Sequence, residues 1–169
     1  MSCTLEDILE SRDRRSLQRK KILMSYEGTA LTLQLNIPGA NKDKDIYRST
    51  LLCCYQEVKS LLDNKGIPIN YDQVQFYITG PEAILIVDSR VPHLKELMIH
   101  IEETHPLGRL FDIDVFNHNG EPYSRTSLQQ TPRSCYICGE SAKVCARSRK
   151  HKVSEIIECI DAMMTDYHF

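Results

Sequence analysis

The sequence predicts an α+β fold with a mixed or largely antiparallel sheet and helices packed on it. Three observations lead there. Segments that alternate with period two are interspersed with segments of helical period, but without the strict strand–helix alternation of a doubly wound sheet. The strand-like runs 74–78 and 83–87 are joined only by Thr79-Gly80-Pro81-Glu82, which is turn chemistry and suits a hairpin. The chain has 169 residues, 41% hydrophobic and 26% charged, which is the size and balance of one ordinary globular domain.

The elements follow in order. Residues 4–24 read as a helix, with Thr4 as N-cap and Asp7 near the capping-box position. Its helical stripe is Leu5, Ile8, Leu9, Arg12, Ser16, Arg19 and Leu23. Two arginines thus sit in phase with apolar residues, either snorkelling past the core edge or facing a buried anion. Residues 30–37 alternate as a strand, and Pro38-Gly39 turns the chain. Residues 46–64 form the clearest helix, with Tyr47, Leu51, Cys54, Val58, Leu61 and Leu62 on one face; Cys54 is expected as a core thiol. The apolar run 83–87 reads as a central strand. Residues 92–104 are helical, burying Leu94, Leu97, Met98 and Ile101. A strand follows from Leu110 to Phe116, then the turn 117–120 and a loop over 121–134. Residues 153–166 close the chain as a helix burying Val153, Ile156, Ile157, Ile160 and Met164. The whole of 1–169 is expected to be a single catalytic domain that contains a basic Cys/Arg-rich segment at 133–152.

Composition excludes a mostly disordered chain and a collagen-like fibre. No apolar run approaches the roughly 18 residues that span a bilayer, so no membrane partner is expected. The acidic start, Met1 to Asp7, lacks an apolar signal region. A cytoplasmic protein is therefore expected, with its seven cysteines reduced. Net charge is −2, from 21 Lys+Arg against 23 Asp+Glu. The basic residues are unevenly spread. Residues 133–152 carry Arg133, Lys143, Arg147, Arg149, Lys150, His151 and Lys152 against Glu140 alone. Such a segment in an acidic chain points to an anionic ligand.

The sharpest local feature is Phe111-Asp112-Ile113-Asp114-Val115. On a strand, Asp112 and Asp114 share one face and the three apolar residues the other. The paired Cβ atoms then lie roughly 6–7 Å apart, from the rise per residue. Two carboxylates so placed, beside the turn Gly108-Arg109, can hold Mg²⁺ on a polyphosphate, which makes a nucleotidyltransferase-like sheet one candidate within the α+β class. Asp-x-Asp alone is also what a solvated strand face carries. Arg109 beside it can bind phosphate through two parallel hydrogen bonds. Arg147, Arg149 and His151 alternate, and in an extended or tightly turned segment they would converge on one anion; the bland alternative is a basic helix entry. With Arg125 and Arg133 they favour a polyphosphate site.

A second constellation is Cys135-x2-Cys138-x6-Cys145-x5-His151. These soft ligands could make a tetrahedral zinc site, but the middle spacing is shorter than in common fingers. A structural Zn²⁺ is therefore the lesser reading, and unligated reduced thiols the larger. A Cys138 or Cys145 nucleophile with His151 as base is a third.

These segments resemble one family, the apo-citrate lyase phosphoribosyl-dephospho-CoA transferases (holo-citrate-lyase synthases). The resemblance rests on Arg12-Asp-Arg-Arg15, Asn36-Ile-Pro-Gly39 with Lys42, Thr79-Gly-Pro-Glu82, His105-Pro-Leu-Gly-Arg109-Leu-Phe-Asp112-Ile-Asp114-Val115, and Arg133-Ser-Cys-Tyr-Ile-Cys138 through Cys145-Ala-Arg-Ser-Arg149-Lys-His151. They cover almost the whole chain. The resemblance implies transfer of a phosphoribosyl-dephospho-CoA group from 2′-(5″-triphosphoribosyl)-3′-dephospho-CoA to a serine of the citrate lyase acyl carrier (gamma) subunit, releasing diphosphate. No nucleic acid is implied. On this reading Asp112, Asp114 and Arg109 are catalytic, and Asp112 and Asp114 hold Mg²⁺. Arg147, Arg149, His151, Arg133, Arg125, Lys42 and Arg12 bind substrate. Asp88 is the candidate third carboxylate, and His105 reads as a cap or packing residue. Two alternatives stay open: the same chemistry on the carrier of another lyase or decarboxylase, and a zinc-stabilised adaptor that binds an anionic partner through 133–152.

Overall fold

The computed structural model describes residues 3–167; Met1 and Ser2 of the acidic start, and the last residues of the expected 1–169 unit, lie outside the described residues. Thr4 opens helix α1 (Leu5–Ser25) through a full capping box: Asp7 N donates to Thr4 Oγ1 at 3.1 Å and Thr4 N to Asp7 Oδ2 at 2.7 Å. Strand β1 (Thr29–Leu35) and helix α2 (Asp45–Asn64) follow. Strands β2 (Ile69–Tyr77) and β3 (Gly80–Val87) form the expected hairpin. Helix α3 (Val91–Thr104) has Pro92 in its first turn, where the missing N–H costs nothing. A short 3₁₀ turn at Gly108–Leu110 leads into strand β4 (Phe111–Phe116), and β5 (Pro122–Tyr123) is brief. Helices α4 (Ala142–Ser148) and α5 (Val153–Thr165) end the described chain.

The five strands make one sheet in the order β2-β3-β1-β4-β5, with every neighbouring pair antiparallel. The fold is α+β, and the sheet is of the antiparallel kind. Strand alternation explains its two faces. Leu31, Leu33, Leu85, Val87, Phe111, Ile113 and Val115 are fully buried on one face against Tyr47, Leu51, Val58, Leu94, Met98 and Ile160 of the helices. Each such Leu or Ile contributes about 1.5–3 kcal/mol by leaving water. Cys54 lies at 0% exposure within this core, as expected.

The opposite face is different. A small cluster of Ala30, Ile84, Ile86 and Phe116 takes Ile22 of α1. Beyond it the face is polar, carrying Thr32, Gln34, Gln73, Gln75, Glu82, Asp112 and Asp114. Helix α1 lies over this polar face, which corrects its expected stripe. Leu5 and Leu9 of that stripe point to solvent at 73% and 51% exposure, as does Leu17 outside it at 68%. The inward line is Ile8, Ser11, Arg15, Gln18, Arg19 and Ile22, because a polar floor selects polar partners. Gln18 donates to Gln73 (2.9 Å) and Gln75 (3.3 Å), and the Arg19 guanidinium lies 3.7 Å over the Phe116 ring.

Several boundaries also differ. Strand β2 starts at Ile69 rather than 74, since polar Asn70, Asp72 and Gln73 mask an outer strand whose faces are only half buried. The loop expected at 121–134 contains β5 and a 3₁₀ turn at Arg125–Leu128. The segment around Arg147 is helical rather than extended.

Strand β5 pairs only with Val115 and Phe116, so the rim of β4 at Ile113 has no strand beside it. Helix α3 completes it with two charged side chains. Glu102 Oε1 accepts from Ile113 N at 2.9 Å, and Lys95 Nζ donates to Ile113 O at 2.8 Å. Both residues are buried. The turn into β4 must press close to α3: a Cβ on Gly108 would sit 2.6 Å from the carbonyl oxygens of Ile101 and Glu102, so only glycine fits.

Candidate active site

Register on the polar face assembles the carboxylates. Gln34 of β1 pairs with Asp112 and Thr32 with Asp114, so both aspartates stand on one face beside the central strand. One step past the Leu33–Ala83 pair, Gln34 is also level with Glu82 of β3. Glu82, Gln34 and Asp112 therefore form a row across three strands. The expected third carboxylate, Asp88, is exposed at the other end of β3. The carboxylate that stands in the row with Asp112 is Glu82, not Asp88.

A polar cavity of about 260 Å³ opens over this row, lined by Ser11, Arg12, Arg15, Gln34, Lys42, Glu82 and Asp112 among others. Glu82 accepts from Arg14 Nη1 at 2.6 Å and Nη2 at 3.1 Å, and from Arg15 at 3.4 Å. Lys42 donates to Ile37 O at 2.5 Å, and burial lowers its pKa. The loop after β1 thereby brings this lysine over the site. Arg12, one of the two in-phase arginines, lines the same cavity.

Asp112 is oriented by Arg133, whose Nη1 donates to Oδ1 at 2.7 Å while Nη2 donates to Glu102 at 2.5 Å. Burial works against the Arg133 charge, but Glu102 and Asp112 more than offset it and raise its pKa. Arg125 also pairs with Glu102, and with Glu103 at 2.9 Å. It sits on the α3 side of β4 rather than in the cavity. Asp114 is solvent-accessible, yet surrounding protein raises its pKa; Asp112 adds to this, while Lys95 and Arg133 oppose it. Two like charges on one face are thus incompletely neutralised. With Gln34 beside them, they form a hard-oxygen set that fits Mg²⁺.

A second cavity, about 680 Å³, adjoins the first through Asn36, which lines both. Its walls are Pro38, Arg109, Tyr136, Arg149, His151, Val153 and Ile156 with small residues of α4. Arg109 binds Ser134 O through Nε (2.9 Å) and Nη2 (2.6 Å) and lies 4.0 Å over the Tyr136 ring. Its Nη1 is buried without a hydrogen-bond partner among the described residues. Burial lowers its pKa, and Arg133 lowers it further. Tyr136 donates to Asn36 O at 2.8 Å and Arg109 O at 3.1 Å, and burial pushes its phenol up to about 12. Arg149 follows α4 in a left-handed conformation, φ 49°, which turns the chain toward the cavity. Arg147 is exposed on α4 and lines neither cavity.

The structure therefore divides the expected residues. Asp112, Lys42 and Arg12 meet in the smaller cavity; Arg109, Arg149 and His151 meet in the larger; Arg133 and Arg125 brace the strand edge. The ring of His151 turns to the thiols, with Nε2 3.2 Å from Cys138 Sγ. His105 caps α3, accepting from Leu107 N at 3.0 Å, and packs 5.0 Å from Phe111. Gln34, Arg15 and Glu82 were not picked out as functional. The pairing of β1 with β3 and β4 is what makes them neighbours. For Gln34 and Glu82 the local signal is a polar residue at an inward position of an otherwise apolar strand; Arg15 and Glu82 also fall in the segments Arg12–Arg15 and Thr79–Glu82 that carry the resemblance.

A family model for apo-citrate lyase phosphoribosyl-dephospho-CoA transferase matches residues 3–167. Protein CitXG of Haemophilus influenzae is 32% identical over 166 residues, 98% of this chain but 36% of that protein. Apo-citrate lyase phosphoribosyl-dephospho-CoA transferase of Escherichia coli O139:H28 is 31% identical over 163 residues, covering 96% of this chain and 89% of the relative. The Shigella flexneri protein of that name is 30% identical over the same length. The chain thus spans about a third of the Haemophilus protein and most of the other two.

Proposed function

Since the chain belongs to the apo-citrate lyase phosphoribosyl-dephospho-CoA transferase family, we propose that it moves the phosphoribosyl-dephospho-CoA group from its triphosphate precursor to a serine of the citrate lyase acyl carrier subunit. The observation that carries this reading is the row Glu82–Gln34–Asp112 beneath Arg12, Arg15 and Lys42, joined through Asn36 to a larger cavity. The smaller cavity is charged and suits a triphosphate. The larger one is mostly apolar with arginines at its wall, and suits the dephospho-CoA moiety.

In the reaction the carrier serine Oγ bonds to the α-phosphorus while the α–β bridging bond breaks and diphosphate leaves. Arg12, Arg15 and Lys42 bind the phosphate oxygens and hold the leaving group in line. Arg133 fixes the Asp112 carboxylate. Asp114, exposed beside Asp112, takes the serine proton. Asp112 and Asp114 would hold Mg²⁺, which when bound neutralises charge on the polyphosphate. Arg109 offers its free Nη1, and Arg149 its guanidinium, to the diphosphate of the CoA portion. Arg147 lies outside this assignment.

The test is to incubate the protein with apo-carrier, triphosphoribosyl-dephospho-CoA and Mg²⁺ and to weigh the carrier by mass spectrometry. The expected result is a gain of one phosphoribosyl-dephospho-CoA group on the carrier with release of diphosphate. An unmodified citrate lyase carrier overturns the reading; loading only the apo-carrier of another lyase or decarboxylase would move the proposal to that partner.

A further inference from the structure

Residues 134–152 fold without a core of their own. Ile137 and Val144 are 43% and 56% exposed, and the side chains turned inward are those of Tyr136, which packs on the main core, and of Cys135 and Cys145. The backbone is nevertheless closely ordered. Cys135 N donates to Glu140 O at 2.6 Å, Ala142 N to Arg133 O at 2.9 Å, and Ser134 bridges Ser141. Gly139, φ 71°, makes the tight turn that returns the chain from Cys138. Helix α4 then carries Cys145 inward, and the left-handed Arg149 reverses the chain so that His151 comes back to Cys138.

The result is a four-sided cluster. Cys138 and Cys145 sulfurs lie 3.5 Å apart, His151 Nε2 lies 3.2 Å from Cys138 Sγ, and the ligand atoms of Cys135, Cys138, Cys145 and His151 all lie within 4.8 Å of one another. A tetrahedral zinc with sulfur at about 2.3 Å and nitrogen at about 2.0 Å spaces its ligand atoms by about 3.5–3.8 Å. Three thiols and an imidazole are the soft set that selects zinc over magnesium or calcium.

We propose that Cys135, Cys138, Cys145 and His151 bind one structural zinc ion that fixes the folded path of the 133–152 segment, which Arg133 and Tyr136 then tie to Asp112 and Arg109. All four positions are filled by protein, which is the closed form of a structural site rather than the open form of a catalytic one. The site supplies the staple that a segment without a core needs. Its surroundings say what it positions. Arg133, two residues before the first ligand, holds Asp112; Tyr136, between the first two, forms the wall beside Arg109; Arg149, between the last two, lines the larger cavity. The site does not depend on the proposed transferase reaction.

The test uses the intact chain, purified under reducing conditions without chelator. Elemental analysis is expected to give one zinc per chain, and replacement by Co²⁺ to give the intense visible bands of a tetrahedral thiolate site. Both readings come from the unaltered protein, so they hold even where a variant fails to fold. Cys138→Ser and Cys145→Ser lose the metal, whereas Cys159→Ser, outside the cluster, keeps it. Removing zinc with a strong chelator makes 133–152 the first site of limited proteolysis. Less than a tenth of an equivalent of zinc with no tetrahedral cobalt spectrum overturns the proposal. So does a Cys138–Cys145 disulfide, read as a two-hydrogen mass loss, or undiminished zinc in the Cys138→Ser, Cys145→Ser double variant.

Discussion

The two adjoining cavities are built in opposite ways. The smaller is made by a sheet: Glu82, Gln34 and Asp112 stand level because three antiparallel strands are in register, and each carboxylate rests on a fully buried core beneath it. The larger is made by a segment with little regular structure, laid over Asn36 and Arg109 and tied by Tyr136 and a cluster of thiols. A charge-bearing row that must hold a fixed spacing is placed on the rigid part. The larger wall is placed instead on a segment ordered by turns and side-chain contacts rather than by sheet register. Arg133 joins the two, because it comes from the second region and clamps an acid of the first.

That joint is where the comparison is easiest to break. Glu102→Gln removes the buried charge shared by Arg125 and Arg133, and should cost about 3 kcal/mol of stability in urea unfolding, the scale of stripping one partner from a buried ion network. If the two cavities are independent, the cost will be far smaller. Asp112→Asn should lower the rate of carrier loading by at least about 10²-fold with little change in unfolding midpoint, the scale of losing one preorganised electrostatic group. Near wild-type loading would remove Asp112 from the mechanism. Tyr136→Phe keeps the ring but loses both hydrogen bonds, and should cost about 1 kcal/mol. Its KM for the donor should rise more than its kcat falls, since it lies in the wall of the larger cavity.

The smallest effect sharpens the contrast through pH. The Asp114 carboxyl has a raised pKa in the folded protein, so the native state holds that proton more tightly than the unfolded chain does. Stability therefore falls as pH rises from about 4, the ordinary carboxylate value, through the raised one. Asp114→Asn should accordingly stabilise the protein at pH 7 by less than about 1 kcal/mol, as befits an exposed group, and the gain should vanish below pH ~4. Millimolar Mg²⁺ should raise the melting temperature of the unaltered protein at pH 7 and leave that of Asp114→Asn unmoved.

The same division explains what could be read from the chain. The Asp112/Asp114 face was legible because strand alternation is local: Phe111, Ile113 and Val115 announce which side is the core. The hairpin was legible from Thr79-Gly80. Glu82 and Gln34 were not, because strand register is a long-range property and no spacing in the sequence sets them beside Asp112. The α1 stripe misled for a related reason. A helix over a polar floor turns arginine and glutamine inward, and apolar periodicity cannot report that. The fate of Arg109 depended on Ser134 and Tyr136, about 25 residues on, brought back by a segment whose path the intervening loop conceals.

The rim of β4 carries a consequence of its own. An unpaired strand edge is a template on which the backbone of another molecule can lay itself down, the first step toward aggregation. By filling the open N–H and C=O of Ile113 with a carboxylate and an ammonium, α3 leaves a newcomer nothing to zip onto there. The two charges that complete the β4 rim at Ile113 thus also help keep each molecule to itself.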